Sequence, residues 1–330
     1  MDLTTALAGL DDHPWADVSH AYGSAEDLPD LLRALAEGDG EAAEEAVSEL
    51  YGSILHQGTV YSASADAVPY LARIAAAGIR SEDVLFLLGG LAESEDEWEV
   101  ADGAVRAAVA SQLPLLLPLL ADPDESVRLA AAWAVGHTGN GGNGAAGGDD
   151  GAARAASAAL RERGAAERNP DVAAELLVAL GRVDPGAAAE QARALLGEGT
   201  AVPLRLAAVL VCLRNEERWE AVHHAAVLGL LPARGLTVDR YSVHHHELLY
   251  AVVDSLLDRD TDTDREAALA LLEAALRDPR PEVQAEALWA ADHACYLSRS
   301  APARLVHLER GGDGLDQHGR PDRAVGDAEF

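Results

Sequence analysis

The sequence predicts an all-α, right-handed solenoid of roughly seven or eight stacked helix pairs. The clearest sign is Leu119-Leu-Ala-Asp-Pro-Asp-Glu-Ser-Val-Arg-Leu-Ala-Ala-Ala-Trp-Ala-Val-Gly-His137, which reads as the end of one helix, an Asp-Pro turn, and a second helix faced with alanine. The pattern returns at Leu276-Arg-Asp-Pro-Arg-Pro-Glu-Val-Gln-Ala-Glu-Ala-Leu-Trp-Ala-Ala-Asp-His293, so a repeat explains the chain better than a single core does. Strand-like runs are nearly absent.

Along the chain, residues 1–27, with His13-Pro14-Trp15 and His20-Ala-Tyr22, are expected to cap the first unit, whose apolar face needs cover, or to lie free as an arm. The solenoid is assigned to 28–310. Apolar periodicity predicts helices over 28–37, 40–56, 65–77, 81–92 and 103–120, with 94–102 an acidic turn between two of them. Proline stands early in several helices, at Leu28-Pro29, Val68-Pro69 and Val202-Pro203, where a missing amide costs little. Residues 139–151 are almost all Gly, Asn and Asp and offer too little side-chain surface to offset backbone entropy, which makes them a flexible loop insertion. Helical pattern resumes at Ala152, and Pro170-Asp-Val-Ala-Ala-Glu-Leu-Leu-Val-Ala-Leu-Gly181 restates a second helix. Further helices are expected over 185–197, 201–214, 216–230, 241–258, 264–277, 281–297 and 301–309. From Gly311 to the end, 311–330 reads as a disordered tail.

Charge narrows the partners. The formal net charge is −31, from 56 acidic residues against 25 basic ones, all of them Arg. Such a field repels phosphate backbones, so no nucleic acid is expected, and cationic partners are favoured instead. Acidity that merely keeps an alanine-rich chain soluble is the alternative reading. Cys212 and Cys295 sit in apolar helical patterns and imply no disulfide framework. Met1-Asp2-Leu3 lacks a basic leader, and no apolar stretch nears the ~20 residues of a membrane span, so a cytoplasmic location is expected and no membrane.

The segment Asp122-Pro-Asp-x-x-Val-Arg-x-Ala-Ala-x-x-Ala-Val-Gly136 resembles the HEAT and HEAT-like (phycobilisome-lyase-type) repeats. The likeness is good at 276–293 and partial at 170–181 and 202–213. His56-Gln57-Gly58-Thr59-Val60-Tyr61 followed by Ala67-Val68-Pro69-Tyr70-Leu71 is similar to segments of an uncharacterised bacterial subgroup of HEAT-repeat proteins, which implies a fold and no activity. Families of this kind include scaffolds, DNA alkylpurine glycosylases and deoxyhypusine hydroxylase. The glycosylases have a basic concave face, against the charge here. The hydroxylase holds iron with several His-Glu pairs, whereas His246-Glu247 is the one adjacent His-Glu in this sequence.

Three tryptophans are followed four residues later by histidine: Trp133 and His137, Trp219 and His223, Trp289 and His293. On a helix that spacing puts both side chains on one face. In the two best repeats they fall ten and fourteen residues after the turn prolines Pro123 and Pro279. With Val127, Ala131, Ala134 and Val135 packed inward, Leu129, Trp133 and His137 form a separate stripe. One reading makes it a groove of aromatics and imidazoles suited to a cation. The other makes each Trp a space-filler and each His an answer to the helix C-terminal dipole.

The densest histidine cluster is His223-His224 with His244-His245-His246-Glu247. Consecutive helical residues diverge by about 100° each, so a zinc or iron site would combine His223, His224, His246 and Glu247 rather than the whole run. The other reading is solvent-facing imidazoles at a helix start, and no cofactor. Glu93, Glu95, Asp96, Glu97, Glu99 and Asp102 would suit Ca or a basic peptide, without the spacing of an EF-hand, or are a solvated charge run. Nucleophile elbow, phosphate loop, dinucleotide fingerprint and Cys-x-x-Cys are all missing from the sequence.

The expectation is a non-catalytic scaffold or regulatory protein that binds a basic protein or peptide, or a cationic small molecule. An enzyme on the same scaffold, using His and carboxylate chemistry on a small molecule, is the competing class, and a DNA glycosylase comes third.

Overall fold

The computed structural model describes residues 1–139, 150–215, 218–231 and 248–297. Most of the expected insertion at 139–151, the helix at 301–309 and the tail at 311–330 lie outside the described residues. The chain is all-α, and its few strands are two residues long. It divides into two compact units, Met1–Gln191 and Ala192–Phe330.

The first unit begins with α1 (Leu3–Ala6), a 3-10 turn at Trp15–Asp17 and the hairpin β1 (Ser19–His20) and β2 (Gly23–Ser24). Next come α2 (Leu28–Glu37), α3 (Gly40–Ile54), the hairpin β3 (Leu55–His56) and β4 (Thr59–Val60), α4 (Ser62–Ala76), α5 (Ser81–Glu93) and β5 (Asp96–Glu97). The unit continues through α6 (Ala104–Ser111), α7 (Leu113–Leu116), a 3-10 turn at Leu117–Ala121, α8 (Glu125–His137), α9 (Asp150–Ala166), α10 (Pro170–Val183) and α11 (Pro185–Ala194), within which the division falls.

Side-chain caps start several helices. Side chains of Asp39, Asp124 and Asn169 accept backbone N–H groups of the first turns of α3, α8 and α10. The stretch 103–120, expected as one helix, is broken. Pro114 and Pro118 supply no amide, the chain pivots at Gln112, and the two arms bend by 48°. The expected helix 40–56 likewise ends at Ile54, because Gln57 and Gly58 take positive φ and fold the next six residues into a hairpin.

The first unit stacks its second helices. α8 lies between α5 and α10, while α4 packs on α5 and α9 on α10. Small residues set the spacing: Gly89 of α5 meets Trp133 of α8, and Gly136 of α8 meets the backbone of Ala179 on α10. Residues 1–27 lie against α4. Tyr70 Oη donates to Gly9 O at 3.0 Å, Arg73 Nη1 donates to Ala8 O at 3.1 Å, and Trp15, buried, donates its indole N–H to Leu10 O at 2.9 Å.

Between α8 and α9 sits an ionic knot. Glu167 accepts from Arg128 Nε at 2.9 Å and Arg163 Nη2 at 2.6 Å, and from the amides of Arg168 and Asn169. Burial pushes its carboxyl up, but those four donors outweigh it and hold the group at about 2.

In the second unit α12 (Val202–Arg214) packs on α13 (Ala221–Leu230), and α14 (Leu248–Asp258), α15 (Asp262–Leu276) and α16 (Pro281–Leu297) pack on one another. Arginines stitch the ends: Arg205 Nη2 donates to Gly229 O at 2.9 Å, and Arg280 Nη2 to Leu228 O at 3.0 Å. Among the described residues no single helix is long and apolar enough to cross a membrane.

Candidate functional site

The Trp and His residues that the spacing singles out are set into seams between helices. Trp133, half-buried on α8, lies over Gly89, with its ring 4.2 Å from that of His137 and the Arg182 guanidinium 5.1 Å from its centroid. His137 is 7 % exposed. Arg182 reaches back along α10 toward the fully buried Glu175, at 3.9 Å. Leu129 is half-buried.

In the second unit Trp219, 5 % exposed, stacks on His223 at 4.7 Å. His223 is 1 % exposed, and its Nδ1 accepts the Glu220 N–H at 3.0 Å, which puts the proton of a neutral ring on Nε2. Trp289 is half-buried and stands 4.7 Å from the Tyr250 ring. At His137, Trp219 and His223 the side chains therefore fill the interior instead of lining a surface, since the neighbouring helix supplies the wall that a lone helix leaves open. His224 is half-buried, and burial first, then the neighbouring His223, lowers its pKa. His246 and Glu247 lie outside the described residues, as does the His293 side chain. Among the described residues no group of three His, Cys, Asp or Glu side chains is placed to hold a metal.

The exposed aromatics are elsewhere, at the edge of the first unit where α3, α4 and α5 meet their connecting segments. β4 pairs antiparallel with β3 and parallel with β5, aligning His56, Thr59 and Asp96 in one row and Leu55, Val60 and Glu97 in the next. Val60 is fully buried, which anchors the sheet on the core. In the other row Thr59 Oγ1 donates to Asp96 Oδ2 at 2.5 Å, and the Tyr22 ring meets His56 edge-on at 5.5 Å. Tyr22 is itself fixed: its N–H donates to His20 Nδ1 at 3.0 Å, while His20 Nε2 bonds Asp27 at 2.9 Å.

Beyond β5, Trp98 N donates to Val60 O at 2.8 Å, so the backbone at the tryptophan is part of the sheet while its ring is 61 % exposed. Ser94 Oγ donates to Gly58 O at 2.5 Å, and Gly103 N to Glu97 Oε2 at 2.6 Å. Glu99 takes a positive φ of 54°, a conformation that costs a non-glycine residue about 1 kcal/mol or more and persists where the surroundings enforce it. The result is a pinned loop that carries Trp98 among Glu93, Glu95, Asp96, Glu97, Glu99 and Asp102. Between Arg80 and Arg106 the sequence has no basic residue, and Arg106 turns inward to Ala92 O at 2.8 Å. The carboxylates of this segment are legible in the sequence and the exposure of its tryptophan is not; the one signal is a Trp within a run too acidic to be core.

Chemically the edge offers two exposed rings on anchored backbone, Tyr22 beside β3 and Trp98 after β5, at the two sides of a narrow sheet. Strands lie about 4.8 Å apart, so roughly 10 Å separates the outer two. A guanidinium or ammonium over such a ring gains electrostatic attraction, and carboxylates alongside add to it.

Comparison with known proteins gives one family. Residues 113–139, which comprise α7, the following 3-10 turn and α8, match the family model of the HEAT repeat. No curated protein matches the chain. Residues 113–139 are thus similar to a HEAT repeat, and paired helices stack around that unit.

Proposed function

We propose that this protein is a non-catalytic scaffold or regulator that binds a basic protein or peptide on the acidic aromatic edge of its first unit. HEAT repeats commonly mediate protein interactions, and the match at 113–139 supports a scaffold role. The observation that carries the finer reading is Trp98, 61 % exposed on a loop whose backbone is hydrogen-bonded in place. A large ring left mostly in water gains little from burial, whereas aromatic anchors dominate binding energy at interfaces. The six carboxylates between 93 and 102 select a cationic partner and speed its approach.

The test is fluorescence anisotropy with a labelled arginine-rich peptide. The wild-type chain binds it saturably and more weakly as salt rises. Trp98→Ala weakens binding about tenfold, as does joint neutralisation of Glu95 and Glu99 to Gln, while Trp133→Leu, set in a helix seam, leaves it unchanged. Equal affinity in the Trp98 and carboxylate variants would remove the edge from consideration.

A further inference from the structure

A different surface of the first unit carries the opposite chemistry. A pocket of about 380 Å³ opens between α9 and the turn from α10 into α11. That volume is within the range of small-molecule sites, roughly 300–1,000 Å³. Arg154 and Arg161 stand on its α9 wall, seven residues apart. Seven residues make two turns, so both side chains rise from one helix face about 10 Å apart along the axis. Ala153, Ala158 and Val183 add small apolar side chains to the lining.

These two arginines differ from most others of the first unit; Arg168, exposed and outside the pocket, also makes no side-chain pair. Arg33, Arg80, Arg128, Arg163 and Arg182 pair with carboxylates, and Arg73 and Arg106 donate to backbone carbonyls. Arg154 and Arg161 have no partner among the described residues. The one carboxylate in the pocket, Asp184, is already occupied. Its Oδ2 accepts from Ser157 Oγ at 2.7 Å, and its Oδ1 from the Ala187 N–H at the start of α11. Asp184 thus serves as a cap for α11 and forms no ion pair with Arg154 or Arg161, whose guanidinium forks face the pocket unpaired.

We infer that this pocket binds an elongated small-molecule dianion, with Arg154 gripping one oxyanion end and Arg161 the other. The planar guanidinium matches a carboxylate or phosphate through two parallel N–H···O bonds, and two such forks on one rigid helix select for the distance between the acidic groups. Carboxylate and phosphate share this chemistry, so the probes separate them. The inference is independent of the acidic edge around Trp98.

Isothermal titration of the full chain with glutarate, inorganic pyrophosphate and inorganic phosphate tests it. At least one of the two-ended anions binds saturably at millimolar concentration or below and more tightly than phosphate. Arg154→Gln and Arg161→Gln each weaken it about tenfold, while Arg168→Gln, an exposed arginine outside the pocket, does not. Both pocket residues are exposed, and unchanged far-UV circular dichroism and Tm confirm that the variants fold. Glutarate alone identifies a dicarboxylate site, and pyrophosphate alone a phosphorylated ligand. Absence of saturable binding by both two-ended probes overturns the inference. So does equal affinity for inorganic phosphate, or binding unchanged in the Arg154→Gln/Arg161→Gln variant.

Discussion

The indole of Trp133 occupies the space that a side chain on Gly89 would need: a methyl group there would overlap its Cδ1 and Nε1. α5 and α8 are spaced by this pairing. Alanine is the better helix former by about 1 kcal/mol, but overpacking costs about 1–3 kcal/mol, and the ring is held from its other sides by His137 and Arg182. Gly89→Ala therefore lowers the unfolding free energy, by roughly 1–2 kcal/mol in urea titration. Because the clash is with a side chain, adding Trp133→Leu to Gly89→Ala recovers part of the loss, and a double-mutant cycle shows positive coupling.

Gly136 gives a contrasting case. A methyl on it would come within 2.8 Å of Ala179 Cα and 2.9 Å of its Cβ, where the obstacle is the backbone of α10. No rotamer change relieves that. Gly136→Ala forces α8 and α10 apart and costs about 3 kcal/mol, at the upper end of overpacking. Truncating Ala179 to Gly restores little, because the Cα remains. A circular dichroism melt of Gly136→Ala at or above the wild-type Tm would refute this close approach.

Strong acid weakens the first unit through Glu167. Its folded pKa of about 2 lies below its ordinary value of 4.5, so it contributes stability that is complete above about 4.5 and is lost as pH falls toward 2. At 1.36 kcal/mol per unit the contribution is roughly 3 kcal/mol, and the buried side chain leaves little for solvent to screen. Glu167→Gln leaves Arg128 and Arg163 facing a neutral amide and lowers stability by about 3 kcal/mol at neutral pH. Its denaturation midpoint then changes less than that of the wild type between pH 5 and pH 3. A parallel pH dependence in the two proteins would place the acid-sensitive group elsewhere.

What the chain discloses in its sequence follows from how local the cause is. The Asp-Pro turn at 122–123 and the alanine face after it are contained in fifteen residues, and the HEAT unit is recognisable from them. The break at Gln112 was legible in principle, since Pro114 and Pro118 stand in the sequence, but the apolar period runs on across them. Four-residue spacing puts Trp133 and His137 on one face and says nothing about what covers that face; Gly89 and Arg182, 44 and 49 residues from the tryptophan, decide it. Trp98 is exposed because its backbone is drawn into pairing with β4, 38 residues earlier, and no local pattern records that.

His224 makes the second unit sensitive to mild acid. Burial and the adjacent His223 depress its pKa below 6.5, and the nearby backbone of Ala267 only partly offsets them. The unfolded chain therefore binds a proton more readily than the folded one. Stability is complete above the unfolded pKa and declines as pH falls through about 6.5 toward the depressed folded value. His224→Gln removes that titration while keeping a polar side chain of similar size. The difference in urea midpoint between the two proteins, followed by fluorescence, should shift in favour of the variant between pH 7.5 and pH 5.5. A constant difference across that interval would show that His224 takes up its proton equally well in both states.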